Sequence, residues 1–144
     1  MNPRQKARRL AVQVLYAWEL SGNAIRSVLE DVVLTTLAEE DFDAPFHQGY
    51  DEVYLAQVLE ELPKIVGDLD QTISPFLSRK INEVNPIELS ILRLAFFELK
   101  MRPDVPHKVV INEAIDIAKE FGAEQSHKFI NGVLDKAWQT VRLV

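Results

Sequence analysis

The chain has 144 residues, 47% of them hydrophobic, which is enough to bury a core as one domain with two subdomains. It contains no cysteine, so disulfides, thiolate chemistry and Cys-ligated zinc are excluded. No apolar run approaches the ~20 residues that a membrane span requires. The N-terminus is basic and lacks an apolar segment, so no signal peptide is visible, and we expect a cytoplasmic protein without membrane contact.

The charge is distributed unevenly. The net charge is −6, but Arg4, Lys6, Arg8 and Arg9 all lie within the first nine residues, and the first acid is Glu19. The rest of the chain carries 12 basic and 22 acidic residues. A basic start of this kind can bind phosphates, or it can be an ordinary solvated terminus. Cations are disfavoured at a helix N-terminus by the macrodipole, which favours a functional reason for them.

Apolar residues recur at helical spacing along nearly the whole chain. The first predicted helix places Arg8 and Arg9 away from the core and ends at Gly22. Its apolar stripe consists of Ala7, Leu10, Ala11, Val14, Leu15 and Trp18. A second helix follows, and then an acidic segment, residues 39–50, which has no period and is predicted to be an exposed loop.

Prolines divide the middle of the chain. Pro63 either starts a helix or kinks one, and a short helical segment is predicted at residues 76–81. The clearest helix start is Asn85-Pro86-Ile87-Glu88. Here Asn85 can cap the helix, Pro86 occupies its first position, and Glu88 can reach back to the cap.

Two amphipathic helices complete the prediction. Pro106 opens the first and Gly122 ends it, whereas Gly132 lies inside the second, where glycine costs ~1 kcal/mol relative to alanine. A close helix–helix contact or a nearby ligand would compensate for that cost. The predicted fold is all-α with six to seven helices. It forms a single domain with an N-terminal subdomain of about residues 1–80 and a C-terminal subdomain of about residues 81–144.

Nothing in the sequence indicates catalysis. The three histidines are far apart in sequence, and no zinc-protease, dinucleotide, phosphate-loop or serine-hydrolase motif occurs. Glu113 and Asp116 share a helix face, but no histidine follows at di-metal spacing. We therefore predict a protein that is not an enzyme and has no cofactor and no metal.

Two segments resemble the NusB family of bacterial transcription antitermination factors. They are VPHKVVINEAIDIAKEFG at residues 105–122 and SHKFINGVLDK at residues 126–136. The first helix has the family's Ala-x-Gln-x-Leu-Tyr-x-Trp arrangement at residues 11–18. The resemblance covers nearly the whole chain and departs at residues 39–50, at Trp138 and in the tail. It implies two roughly perpendicular three-helix bundles.

The resemblance also implies contact with boxA-type single-stranded RNA. The start of this chain differs from the family pattern, because Gln stands at position 5 and Arg at position 9. Phe129 is either core packing or an aromatic platform for unpaired bases. The implied RNA-binding residues are Arg4, Lys6, Arg8, Arg9, Gln13, Lys128 and Phe129.

The implied protein partner is the small-subunit ribosomal protein NusE, within the RNA polymerase antitermination complex that acts on ribosomal RNA operons. An acidic body suits a basic ribosomal protein. The implied partner surface is Tyr16, Phe76, Arg79 and Glu88, each of which also has an ordinary structural reading. Some members of the family self-associate, so a homodimer is a further expectation.

Two alternatives stay open on the sequence. One is a helical protein-interaction module without specific RNA binding. The other is a stand-alone relative of the N-terminal domain of RNA cytosine methyltransferases.

Overall fold

The computed structural model describes residues 1–39 and 49–143, and every regular element within these ranges is helical. The all-α prediction is confirmed. The segment predicted to be an acidic loop falls mostly on residues 40–48, which lie outside the described residues. The chain divides into two compact units, Met1–Glu61 (unit 1) and Leu62–Val144 (unit 2).

Unit 1 contains α1 (Pro3–Ser21), α2 (Ile25–Glu39) and α3 (Glu52–Glu61). The side chain of Asn2 accepts a hydrogen bond from the Gln5 N–H, and the Gln5 side chain accepts one from the Asn2 N–H, which forms a capping box. Gly22 ends α1 with φ of 70°, as its position predicts. The predicted stripe of α1 is buried from Ala7 to Leu15, and α2 and α3 pack against this helix.

Unit 2 begins with a 3-10 turn (Pro63–Ile65), α4 (Val66–Ile73) and a second 3-10 turn (Ser74–Phe76). A third 3-10 turn (Ile81–Glu83) precedes α5 (Pro86–Met101), α6 (His107–Phe121) and α7 (Ser126–Leu143). The short helical segment expected at residues 76–81 is therefore wrong, since residues 77–80 are not helical. Pro75 and the lack of an apolar period explain the two isolated turns.

Helix α5 is the centre of unit 2. All of its residues from Glu88 to Leu99 are buried, and α4, α6 and α7 pack around it. The Asn85 side chain accepts from the Ile87 N–H at 2.9 Å, so the predicted cap is confirmed. At the other end, the Arg142 guanidinium donates to the carbonyl oxygens of Glu98, Leu99, Arg102 and Val105. These bonds tie the last turn of α7 to the end of α5 and to the loop that follows α5.

The division of the chain falls earlier than expected. A boundary at about residue 80 would separate α4 from α5, but both lie in unit 2. Arg93 on α5 donates from Nε and Nη2 to the two carboxylate oxygens of Asp70 on α4, at 2.9 and 2.8 Å. Leu69 and Ile73 on α4 are fully buried. Burial and this ion pair therefore join α4 to the second unit.

Gly122 ends α6 as predicted, but its backbone conformation and the surroundings of Gly132 were not evident from the sequence. Gly122 has φ of −87° and ψ of 176°, so it is not a left-handed cap. A Cβ there would lie 2.6 Å from the Ser126 Cβ, and close approach is what requires glycine. Of the two compensations considered for Gly132, a close helix–helix contact is absent among the described residues, because nothing lies within 4 Å of where its Cβ would be.

Candidate nucleic-acid and partner sites

The cations at the start of α1 differ in how far they reach solvent. Lys6 is exposed, Arg9 is half-buried, and the side chain of Arg4 is 36% exposed. Arg8 is only 4% exposed, so the prediction that it projects away from the core is wrong. The apolar stripe of α1 indicates one buried face, but α3 also packs on this helix and brings the Tyr54 ring within 5.6 Å of the Arg8 guanidinium carbon. Arg8 is therefore less available to a ligand than Lys6 or Arg4.

Arg4 and Arg8 both lie over one aromatic ring of α3. The guanidinium carbon of Arg4 is 4.2 Å from the centroid of the Tyr54 ring, and that of Arg8 is 5.6 Å from it. Arg4 also donates from Nε to the Oδ2 of Asp51 at 3.0 Å. Tyr54 is 1% exposed, so the ring is a fixed support for the two cations. The structure thus builds this site from α1 and α3 together.

Other candidates on α1 lie along a different line of the helix. Arg9, Gln13 and Tyr16 are spaced by four and three residues, which places them on one face. All three are half-buried. This face therefore combines two residues expected to touch RNA with one expected to touch the protein partner.

In unit 2, one arginine joins residues that the sequence assigns to different partners. The guanidinium carbon of Arg79 lies 4.7 Å from the centroid of the Phe129 ring, and its Nη2 is 3.6 Å from the Oε1 of Glu88. Phe129 was expected to contact RNA, whereas Arg79 and Glu88 were expected to contact the protein partner. Glu88 is 8% exposed and lies beside Arg79, so its predicted reach back to the Asn85 cap is replaced by this ion pair.

The remaining candidates of unit 2 divide between surface and core. Lys128 is exposed and Phe129 is half-buried at the start of α7, so the aromatic ring is not simply core. Phe76 is also half-buried, but its ring lies 6.4 Å from that of the buried Phe96 at an interplanar angle of 52°. Phe76 therefore has a packing role in addition to any partner role.

An open groove of about 650 Å³ lies beside Arg79. The non-helical residues 77–80 form its centre, and the neighbouring 3-10 turns supply its ends. Its lining combines hydroxyl, apolar and charged side chains, which suits a peptide surface better than a buried small molecule. The lining residues are Ser74, Leu77, Ser78, Arg79, Lys80, Ile81 and Glu83.

The described part of the chain also bears on metal binding and membrane insertion. Residues 1–39 and 49–143 contain no cluster of three or more His, Cys, Asp or Glu side chains that could hold a metal ion. Within the same ranges, no helix is long and apolar enough to cross a membrane.

Sequence reasoning missed Asp51 and Tyr54. Asp51 precedes α3 and its Oδ1 accepts from the Tyr54 N–H at 3.0 Å, a cap that a careful reading could find. Asp51 and Arg4 are 47 positions apart, so no local sequence pattern predicts their contact.

Comparisons with known proteins agree on one family. Residues 5–139 match the NusB family. The transcription antitermination protein NusB of Proteus mirabilis (strain HI4320) is 50% identical over 139 residues, which cover 96% of this chain and 95% of that protein. Its name describes a transcription factor, which confirms the prediction that the chain is not an enzyme.

Solved structures give the same result. A crystal structure of T. maritima NusB has a TM-score of 0.79 at 28% identity and covers 96% of this chain and 93% of its own. A chain in a crystal structure of the antitermination factors NusB and NusE with double-stranded RNA has a TM-score of 0.77 at 26% identity. That match covers 94% of this chain and 96% of the other. The chain therefore belongs to the NusB family of transcription antitermination proteins.

Proposed function

We propose that this chain binds boxA-type RNA together with the ribosomal protein NusE and suppresses premature termination in ribosomal RNA operons. The observation that carries this proposal is the likeness to a chain from a complex of NusB, NusE and RNA, over 94% of the present chain. The setting that we propose is the cytoplasm, within an antitermination complex that contains RNA polymerase.

Unit 1 would supply affinity for the RNA backbone. The cations at the start of α1 include the exposed Lys6 and the partly exposed Arg4, which can approach phosphates from solvent. Such contacts release counterions and carry no sequence information. Gln13, farther along α1, offers an amide that can hydrogen-bond to a base or a sugar.

Unit 2 would supply a surface for unpaired bases. The Phe129 ring and the guanidinium of Arg79 lie against each other, and both groups stack on bases in RNA-binding proteins. Lys128 is exposed next to Phe129 and can neutralise an adjacent phosphate. The arrangement combines stacking and charge in one place.

RNA binding can be tested with variants that leave the fold intact. Lys6→Ala and Lys128→Ala each remove one exposed cation, and Lys119→Ala on α6 is a matched control with the same charge change. Each of the first two variants should weaken RNA binding and reduce the slope of log affinity against log salt by about 0.7 for single-stranded RNA. Fluorescence anisotropy with single-stranded and duplex forms of the RNA measures both quantities.

The aromatic contact has its own test. Phe129→Leu keeps an apolar side chain but removes the ring, and a lost base stack costs about 1–3 kcal/mol, or roughly 5- to 150-fold in affinity. A wild-type protein that binds neither form of the RNA, with or without NusE, would refute the proposed function. It would leave a helical protein-interaction module as the remaining reading.

The NusE contact would involve Tyr16 in unit 1 and the groove beside Arg79 in unit 2. Since Glu88 is nearly buried, its role in our proposal is to hold Arg79 rather than to touch the partner. Arg79→Ala should weaken NusE binding more than Glu88→Gln does. Asp116→Asn, an exposed site on α6 that does not line the groove, is the control with the same charge change as Glu88→Gln.

Calorimetry with purified NusE measures these affinities. Equal binding by the wild type, Tyr16→Ala and Arg79→Ala would show that the partner binds elsewhere. The homodimer stays a prediction, which sedimentation of the free protein tests directly.

A further inference from the structure

The Asp51 carboxylate lies against Arg4, one of the cations that we expect to bind RNA, and it carries a negative charge, as an RNA phosphate does. We propose that the Asp51 carboxylate is a built-in competitor, which holds Arg4 in the free protein and is exchanged for a phosphate when RNA binds. This inference rests on the proposed RNA-binding function and adds to it a residue that sets the affinity.

The geometry fixes Asp51 in place independently of any ligand. Its backbone N–H donates to the Pro3 carbonyl oxygen at 3.0 Å, which ties this residue to the first turn of α1. Its Oδ1 caps α3 by accepting from the Tyr54 N–H at 3.0 Å. Its Oδ2 accepts from Arg4 Nε at 3.0 Å. An incoming phosphate therefore competes with an anion that is already tethered beside Arg4.

The ion pair is accessible enough for exchange. The side chains of Arg4 and Asp51 are 36% and 28% exposed, and pairs of this kind are weak because water screens them. The guanidinium carbon of Arg4 lies 4.2 Å from the ring centroid of Tyr54, and this ring is buried. Tyr54 can keep Arg4 oriented while the anion beside it changes. A phosphate can accept two parallel bonds from a guanidinium, which gives it an advantage over the single bond from Arg4 Nε to Asp51.

The charge of Asp51 is not needed to cap α3. Asparagine serves as an N-cap about as well as aspartate, because the bond from the Tyr54 N–H needs only a side-chain oxygen. The formal charge therefore acts chiefly on Arg4 and its neighbours. Asp51→Asn consequently removes the competing anion and keeps the cap, which makes it a selective test.

The test is a salt titration of RNA binding with the full chain, using a single-stranded boxA-type RNA and a poly-uridine of equal length. Asp51→Asn should bind both RNAs about two- to fivefold more tightly at low salt. The slope of log affinity against log salt should become steeper by up to about 0.7, because Arg4 is then free to take up one phosphate more completely. Asp31→Asn, an exposed site on α2 with the same charge change, should alter affinity less than twofold.

A double-mutant comparison decides whether the effect passes through Arg4. In an Arg4→Ala background, the gain from Asp51→Asn should fall to the level of the Asp31→Asn control. An unchanged thermal midpoint in Asp51→Asn shows that the cap is preserved, and a structural change alone would not alter the salt slope.

The outcomes separate this inference from the proposed function. If the wild type binds RNA but Asp51→Asn matches Asp31→Asn in affinity and salt slope, the proposal that Asp51 competes with phosphate is refuted, and the proposed function stands. If the gain from Asp51→Asn persists in Arg4→Ala, the competitor is also refuted. If neither the wild type nor Asp51→Asn binds either RNA, both the competitor and the proposed function are refuted.

Discussion

Replacing Gly132 by alanine should stabilise the protein. Gly132 lies inside α7, is exposed, and has nothing within 4 Å of where a Cβ would be among the described residues. Alanine therefore adds no clash, and it removes the backbone freedom that glycine gives the unfolded chain. Gly122→Ala is the matched opposite case, because its Cβ would lie 2.6 Å from the Ser126 Cβ and 2.7 Å from the Ala118 carbonyl oxygen.

The expected magnitudes follow from these surroundings. A helix-interior glycine costs about 0.8–1 kcal/mol relative to alanine, so Gly132→Ala should gain about 0.5–1 kcal/mol. For a unit of this size each kcal/mol moves the unfolding midpoint by roughly 4–8 °C, which gives a rise of roughly 2–8 °C. Gly122→Ala must displace Ser126, whose hydroxyl accepts from the Ala123 N–H at 3.0 Å. It should lose about 1–3 kcal/mol.

Urea and thermal unfolding followed by far-ultraviolet circular dichroism measure both changes. Opposite signs for the two variants would support the account. A lower midpoint for Gly132→Ala would refute it, because it would mean that α7 has a neighbour at Gly132 that this structure lacks. A neutral Gly122→Ala would show that the start of α7 can shift to admit the methyl group.

Three further predictions concern stability. Asp70→Ala should cost about 2–3 kcal/mol in urea unfolding, because it removes both bonds to the nearly buried Arg93, and a cost below about 0.5 kcal/mol would contradict this. Arg142→Lys should cost about 1–2 kcal/mol by the same measurement, because an ammonium group cannot donate to all four carbonyl oxygens that Arg142 contacts. Unchanged stability would mean that water replaces the lost hydrogen bonds to these carbonyls. Burial, with a smaller contribution from Glu52, raises the pKa of Tyr50 above 10.0. As pH rises, Tyr50 therefore loses its proton in the unfolded chain before it does so in the folded protein. The stabilisation that this pKa difference gives is fully present below pH 10.0 and is lost as pH rises through the pKa of Tyr50 in the folded protein. Between about pH 9 and pH 11 the wild type should therefore lose more stability than Tyr50→Phe, and parallel curves would refute the shift.

The helices could be predicted because their signals are local. The stripe of α1, the stop at Gly22 and the start at Asn85-Pro86 depend on residues within one or two turns of each other. The 3-10 turns on either side of residues 77–80 have no such signal. The place of α4 in unit 2 depends on the bond between Asp70 and Arg93, 23 positions apart, which no periodicity reveals.

The candidate sites could be predicted only as separate residues. Composition pointed to Arg4 and Arg8, but the exposure of Arg8 depends on α3, which lies far along the chain and brings the Tyr54 ring close to it. The resemblance assigned Arg79 and Phe129 to different partners, whereas the structure places the guanidinium on the ring. Contacts between distant segments thus determined which candidates share a surface.

The stacked rings of His107 and Trp138 give unit 2 an optical reporter. Their centroids are 3.6 Å apart and their planes differ by 4°, so the emission of Trp138 depends on α6 and α7 staying together. The other tryptophan of the chain, Trp18, lies on α1 in unit 1. A Trp18→Phe variant would therefore report on unit 2 alone and a Trp138→Phe variant on unit 1. Comparison of their unfolding curves would show whether the two units lose structure together or one after the other.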